Sequence, residues 1–100
     1  MTYHDKVIVA SQNQLASELG DEIVILNLDD GMYYGLNPLG AYVWRIIGSP
    51  QAFADIVSAI LADFEVEQER CEQDLTDLLT NLEGKKLVQV SEADVAAASE

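Results

Sequence analysis

The chain has 100 residues, 49% of them hydrophobic, and carries 18 acidic against 5 basic side chains, for a formal net charge of −13. This length indicates one domain with a core of modest size. The excess of carboxylates argues against nucleic acid and anionic membrane surfaces as ligands, because both select basic patches. The charge favours partners that carry Lys or Arg, although solubility alone would also explain it.

Targeting and redox signals in the sequence are few. Cys71 is the single cysteine, so an internal disulfide cannot form. No apolar run approaches the roughly 18 residues needed to span a membrane. Residues 1–6 lack the basic and apolar regions of a signal peptide. We therefore expect a cytoplasmic protein.

The first third of the chain predicts a small antiparallel meander. Residues 7–10 are a short apolar run that fits a first strand or a packed N-terminal arm. Residues 15–19 are strand-like, and Gly20-Asp21 can turn the chain after them. Residues 22–28 are the strongest strand, since they are rich in β-branched side chains. Their apolar character on both faces predicts coverage from both sides. The Asp30-Gly31 turn signal then closes a hairpin into residues 32–36.

Three helices are predicted in the remainder of the chain. Asn37-Pro38 fits a helix N-cap followed by proline at the first helical position. Apolar residues at a 3.6-residue period follow, and Gly48 stands where a left-handed C-cap belongs. Ser49-Pro50 predicts the start of a second helix by the same device. A third helix is expected over residues 67–83, ended by Gly84.

The C-terminal part of the chain shows a short extended segment at residues 87–90. An acidic, Ala-rich stretch follows at residues 91–100, and we expect it to be a flexible tail. Residues 1–90 then form a single domain. The fold class is α+β: a three-stranded antiparallel sheet followed by three helices, with a winged helix-turn-helix-like outline. Nucleic-acid-binding winged helices share that outline, so it does not assign a function.

The sequence offers no recognisable catalytic set. His4 is the only histidine and lies in the N-terminal arm, and Cys71 has no further histidine to activate it and occupies a core position of the third helix. No Cys/His cluster has metal-ligand spacing, and no glycine-rich phosphate loop is present. The acidic run from Asp63 to Asp77 lacks the central glycine of an EF-hand loop. We expect neither an enzyme nor a bound cofactor or metal.

A peptide-binding module remains. It needs an unpaired strand, whose N–H and C=O groups pair with an extended peptide, and an adjacent groove that reads side chains. Residues 32–36 fit the strand, and the third helix fits the second wall, where Asp74 would face a Lys or Arg of the peptide. Leu75 and Leu78 also fit a stripe that faces the core, and that alternative stays open. The candidate peptide-binding residues are Met32, Tyr33, Tyr34, Gly35, Arg70, Cys71, Asp74, Leu75 and Leu78.

The run G-M-Y-Y-G-L-N-P-L-G-A-Y-V-W at residues 31–44 resembles the PqqD-like family, also called RiPP recognition elements. Later segments follow the same family's helix pattern, so that the likeness covers about residues 15–90. The resemblance implies a domain that binds the leader of a ribosomally made precursor peptide. The leader would add to the third strand of the sheet, lie against the third helix and be delivered to modifying enzymes.

Within that family, the tyrosine-containing block and the short free-standing chain are most similar to the leader-binding subunit of lasso-peptide systems, whose partners are a leader peptidase and a cyclase. The runner-up is the protein of pyrroloquinoline quinone biosynthesis, which partners a radical enzyme. Outside the family, a degenerate winged-helix regulator that contacts DNA and an acidic carrier protein stay open, although Ser49 and Ser58 lack the Asp-Ser-Leu setting of carriers. A free strand edge can also pair with a second copy, so a homodimer is a further alternative.

Overall fold

Two small antiparallel sheets and three helices make up the computed structural model, which describes residues 3–92. The α+β class and the three helices are confirmed. The likeness to a winged helix is loose, because a second sheet is present. In chain order the elements are β1 (Lys6–Ala10), β2 (Gln14–Leu19), β3 (Glu22–Asn27), β4 (Tyr33–Leu36), α1 (Pro38–Ile46), β5 (Gln51–Ala52), α2 (Phe53–Asp63), α3 (Gln68–Gly84) and β6 (Val88–Glu92).

The predicted meander forms the first sheet, in the order β2-β3-β4. Each of its two turns contains a glycine with positive φ, Gly20 at 68° and Gly31 at 71°. Only glycine adopts this conformation without a steric penalty from a Cβ atom. The two turns therefore stand where the sequence predicted them and hold the three strands in one register.

The second sheet has the order β5-β1-β6 and joins the two ends of the described chain. β1 pairs with β6 from Lys6↔Glu92 to Ala10↔Val88, which makes it a true strand. Ser91 and Glu92 belong to β6, which corrects the predicted start of the flexible tail at residue 91. The remainder of that predicted tail lies outside the described residues.

The helix starts follow the local signals in two of three cases. The Asn37 side chain caps α1 by accepting from the Gly40 N–H at 2.9 Å, and α3 lies within one residue of its predicted span. The predicted start of the second helix at Ser49-Pro50 is wrong, because Gln51–Ala52 pairs with β1 and α2 begins only afterwards. Gly48 is not left-handed, so the predicted glycine C-cap of α1 is also wrong.

The core lies between the three helices and the inner faces of the sheets. Fully buried side chains come from β1, β3 and every helix, among them Ile8, Ile25, Val43, Phe53, Ile56 and Leu75. The outer face of the meander is different: Val24 and Leu26 of β3 are only half-buried there. The prediction that β3 is covered on both sides is therefore wrong, because within residues 3–92 only the inner face is packed by helices.

Candidate functional site

β4 is an edge strand of the first sheet. It pairs with β3 on one side, and no strand of the described chain pairs with it on the other. An edge strand presents unpaired N–H and C=O groups to any extended chain that reaches it. The first of the two predicted parts of a peptide site is therefore present.

The orientation of the backbone of β4 decides which groups are free. The Asn27 N–H donates to the Met32 carbonyl at 2.9 Å, which fixes one bonded pair of the hairpin. Bonded pairs alternate along an antiparallel ladder, so Tyr34 is the next residue of this strand to bond to β3. The N–H and C=O groups of Tyr33 and Gly35 consequently point away from β3, toward the open edge.

A groove of about 330 Å³ separates the open edge of β4 from the C-terminal half of α3. Residues 33–37 form its strand side, and Leu78, Asn81, Leu82 and Lys85 form its helix side. Leu82 is buried and Leu78 is half-buried, so the floor of the groove is apolar. Asn81 and Lys85 are exposed and supply a polar rim.

A second hollow of about 320 Å³ continues this groove along α3 toward the start of α1. The two hollows share Asn37 and Leu78, and together they are called the α3 groove below. The second hollow is lined by Asn37, Leu39, Gly40, Asp74, Asp77 and Leu78. The α3 groove is thus apolar in the middle, acidic at the α1 end and cationic at the Lys85 end.

Asn27 fixes the position of α3 relative to the sheet. It is the only buried polar residue of the described range, at 3% exposure. Its amide nitrogen donates to the Lys85 carbonyl at 3.0 Å, and its amide oxygen accepts from the Asp29 N–H at 2.8 Å. A buried amide with both groups satisfied is a stable contact, and this one joins β3 to the residue that follows α3, at the Lys85 end of the α3 groove.

Tyr34 and its neighbours form the cationic end of the groove. The Tyr34 hydroxyl donates to the Asp30 carboxylate at 3.0 Å, and the Lys85 ammonium lies 5.1 Å from the centre of the Tyr34 ring. Desolvation, followed by the contact with Asp30, raises the pKa of the Tyr34 hydroxyl above its usual value. The short distance between the Lys85 ammonium and the Tyr34 ring is that of a cation–π contact, which favours Lys85 at this end of the groove.

At the other end, charge is only partly neutralised within the protein. The Arg70 guanidinium donates to both oxygens of Asp74 at 3.1 Å. The Asp77 carboxylate accepts from the Gln73 amide at 3.1 Å, and this neutral donor brings no positive charge to it. Because Arg70 is 72% exposed, its pairing with Asp74 is worth little and can be displaced by another cation.

The structure brings together most, but not all, of the predicted site residues. Tyr33, Tyr34, Gly35, Asp74 and Leu78 line the α3 groove. Met32 is 55% exposed and directly precedes β4, and Arg70 lies beside Asp74 on the surface.

Cys71 and Leu75 are placed differently from the predicted groove floor. They are 2% and 0% exposed and pack in the core, which is the alternative left open for Leu75. Burial raises the pKa of the Cys71 thiol, and the nearby Glu72 and Asp74 charges add to that effect. Neither side chain is accessible to a ligand, so both contribute to the packing of α3 against the core.

Asn81 and Leu82 on α3, and Lys85 directly after it, were not predicted from the sequence. The sequence does carry a signal for Asn81 and Lys85. Together with Asp74 and Leu78 they are spaced by four, three and four residues, and residues at this spacing share one helix face. This face flanks the apolar stripe that starts at Cys71. A helix face with both polar and apolar residues, next to the buried apolar stripe, is therefore the sequence signal that indicates these residues.

Within residues 3–92, no group of three or more His, Cys, Asp or Glu side chains is placed to hold a metal ion. His4, the only histidine, contacts the Glu72 carboxylate at 3.2 Å on the surface. None of the described helices has the length and apolar character to cross a bilayer.

Comparison with known proteins places this geometry in context. Residues 22–88 match the protein family described as coenzyme PQQ synthesis protein D, PqqD. The solved structure of TbiB1 in complex with the TbiA(beta) leader peptide is 32% identical, covers 81% of this chain and 94% of that chain, and has a TM-score of 0.74. A lasso peptide synthetase B1 complexed with the leader peptide is 21% identical, covers 82% and 96% of the two chains, and has a TM-score of 0.72, which shows a shared fold. No curated protein matches the chain.

Proposed function

This chain belongs to the PqqD family, and we propose that it is a non-catalytic adaptor of lasso-peptide type. In this proposal it binds the leader segment of a ribosomally made precursor peptide and delivers the precursor to a leader peptidase and a cyclase. The leader adds as a strand to the open edge of β4 and lies in the α3 groove.

The observation that carries the proposal is the open β4 edge facing an apolar groove. A strand edge alone would accept many chains, but here it borders a concave wall that can select side chains. A relative of 32% identity, TbiB1, has been solved with a leader peptide bound, and its fold superposes on this chain with a TM-score of 0.74. The site and the relative therefore support the same kind of ligand.

Main-chain pairing alone is too weak to give the adaptor its affinity. Tyr33 and Gly35 each offer one N–H and one C=O, and at about 0.5–1.5 kcal/mol per bond these give about 2–6 kcal/mol. Association costs an estimated 4–15 kcal/mol in lost freedom. Burial of two or three leader side chains against Leu78 and Leu82, at about 1.5–3 kcal/mol each, must supply the remainder.

The charges around the groove point to the composition of the leader. Apolar leader residues would lie over Leu78, and a Lys or Arg would lie toward Asp74 and Asp77. The exposed Arg70–Asp74 pair would open when the leader cation arrives. Such a peptide is also favoured at long range by the net charge of −13.

Hydrogen exchange tests the strand addition residue by residue. The ligand is a synthetic leader of the chain's own precursor, identified from neighbouring open reading frames, with the TbiA(beta) leader as a reference peptide. We expect binding to slow exchange at the Tyr33 and Gly35 amides. Exchange at Tyr34 and Leu36 should change little, because their amides already face β3.

The alternation itself is the internal control of this experiment. A leader that binds without protecting Tyr33 and Gly35 contradicts strand addition at β4. A chain that binds no leader at calorimetric concentrations contradicts the adaptor function as a whole.

A second candidate function follows from the description of the matched family, coenzyme PQQ synthesis protein D. In that case the ligand is the precursor peptide of pyrroloquinoline quinone, and the partner is a radical enzyme. Calorimetry with both peptides separates the two cases. We expect the lasso-type leader to bind at least tenfold more tightly.

A further inference from the structure

Lys85 stands at the cationic end of the α3 groove with no acidic partner in the part of the chain that the structure describes. Of the 5 basic residues, Lys6, Arg45 and Arg70 each pair with a carboxylate. Within residues 3–92 the Lys85 ammonium forms no salt bridge, and its contact is the Tyr34 ring at 5.1 Å. With 18 acidic side chains in the sequence, an open cation beside a peptide groove indicates a ligand group.

Asp30 is the acidic residue tied to the same tyrosine ring, and it does not neutralise Lys85. One of its carboxylate oxygens accepts from the Tyr34 hydroxyl at 3.0 Å, and the other accepts from the Met32 N–H at 2.9 Å. Both oxygens therefore have donors within the hairpin. The charge of Lys85 stays available to a carboxylate that a peptide brings into the groove.

The two charged ends of the α3 groove are separated by a fixed distance along the helix axis. Asp77 and Lys85 are eight positions apart, and at about 1.5 Å of rise per residue this corresponds to about 12 Å. Leu78 and Leu82 line the groove between them. A ligand that follows α3 therefore meets an acidic, then an apolar, then a cationic stretch.

An extended peptide on β4 would present every second side chain to this groove. Tyr34 is half-buried and Leu36 is buried, so both point to the inner side of the sheet. Residues directly opposite in a ladder share one face, so the peptide residues opposite these two would point toward α3. Four residues of a strand span about 14 Å, which is close to the separation of the two charged ends.

The main-chain bonds of the β4 edge do not by themselves fix which way the peptide runs. Every strand pair of the described chain is antiparallel, and antiparallel pairing is slightly more stable per residue than parallel pairing. An antiparallel peptide begins at the Asn37 end of β4, toward Asp77, and ends at the Tyr33 end, toward Lys85. The groove charges favour this direction only when the basic residue of the peptide comes first.

We propose that the charged ends of the α3 groove select leaders with a basic residue, an apolar residue two positions later and an acidic residue four positions later. The basic residue lies toward Asp77, the apolar residue over Leu78 and Leu82, and the acidic residue beside Lys85, opposite Tyr34. The inference rests on the proposed leader-binding function and adds Lys85 to it as a residue that determines specificity. The order and spacing of the leader charges then fix the direction and register of the added strand.

Calorimetry with the full chain and the synthetic leader of its own precursor measures the contribution of Lys85. Lys85→Gln removes the charge and keeps the contact with Asn27, which is made by the main-chain carbonyl. Lys86→Gln is the matched control, because it removes the same charge from the next residue, which lines a different hollow with Asn13 and Asp29. We expect Lys85→Gln to raise the leader Kd about fivefold, the upper range for an exposed ion pair. Lys86→Gln should stay within about twofold of the wild type.

Matching changes in the leader identify the group that Lys85 contacts. Replacing the predicted acidic residue by its amide should raise the Kd about fivefold with the wild type and leave it unchanged with Lys85→Gln. Lys85→Glu should recover most of the lost affinity with a leader that carries Lys at this position. Moving the acidic residue by one position turns it to the other face of the strand and should remove its effect. Exchanging the basic and acidic residues brings like charges together and should weaken binding at least fivefold.

Four results would overturn this inference while the adaptor function stands, each with a leader that binds and protects the Tyr33 and Gly35 amides. The first is an equal Kd for the wild type and Lys85→Gln. The second is an equal loss in Lys85→Gln and Lys86→Gln, which would show an effect of net charge alone. The third is a leader whose protected segment has no acidic residue four positions after a basic one. The fourth is a leader that tolerates the exchange of its charges. A leader that does not bind the wild type at all would instead contradict the adaptor function.

Discussion

Proline at position 33 separates main-chain pairing from side-chain contact at the proposed peptide site. The Tyr33 N–H points away from β3, so Tyr33→Pro removes a donor from the open edge and none from the β3 ladder. Proline is tolerated on an edge strand when its missing N–H faces solvent. The substitution should therefore leave the meander folded.

The expected magnitude follows from one lost hydrogen bond. A net contribution of about 0.5–1.5 kcal/mol corresponds to about a 2- to 13-fold increase in the Kd of the leader. The proline ring also occupies the space where a carbonyl of the added strand would approach. We therefore expect the upper end, about tenfold.

Two control variants make this result specific. Tyr33→Ala keeps the N–H and loses the same side chain, including the contact with Leu26 that is worth about 0.2–1 kcal/mol of stability. The difference in leader Kd between Tyr33→Pro and Tyr33→Ala thus measures the contribution of the backbone hydrogen bond. Tyr34→Pro removes a donor that bonds to β3 and should unfold the hairpin.

Calorimetry gives the leader Kd, and thermal unfolding followed by circular dichroism gives the stability of each variant. If Tyr33→Pro is folded and binds the leader as tightly as Tyr33→Ala, strand addition at β4 is refuted. Gly35 offers a second position for the same comparison, since a Cβ built there meets nothing within 4 Å.

Three further predictions concern the groove and its supports. Leu78→Ala should weaken leader binding about tenfold, because Leu78 lines the groove. Leu75→Ala should instead cost about 2–5 kcal/mol of stability and leave the leader Kd of the folded protein within about twofold of the wild type. If Leu75→Ala weakened leader binding and Leu78→Ala did not, the assignment of Leu78 to the site would be contradicted. Leader affinity should fall as NaCl is raised from about 0.05 to 0.5 M, and this salt dependence should be weaker in Asp77→Asn. Equal salt dependence in the wild type and in Asp77→Asn would exclude a leader cation at Asp77. The Tyr42 hydroxyl donates to the Asp63 carboxylate, which together with burial raises the pKa of Tyr42 to about 12. Since the folded-state value is raised, the stability that this group contributes is complete below pH 10 and is lost between about pH 10 and 12. The difference in Tm between the wild type and Tyr42→Phe should shrink over that range, and a constant difference would contradict the assignment.

Local chemistry allowed much of this protein to be predicted. The turns at Gly20 and Gly31 and the capped start of α1 at Asn37 depend on neighbours within about four residues. Such interactions are fixed by chain geometry before any packing occurs. The −13 charge and the 3.6-residue apolar period of the first helix are likewise properties of the sequence alone.

Tertiary structure decided the rest. β1 pairs with β6 across more than 70 residues, and the pairing of Gln51–Ala52 with β1 overrode a helix start that Ser49-Pro50 predicted locally. The rotation of α3 buried Leu75 and left Leu78 at the groove, although both fit the same apolar pattern. Whether a second strand pairs with the edge of β4 depends on where distant segments of the chain lie. The local sequence of residues 32–36 does not encode this.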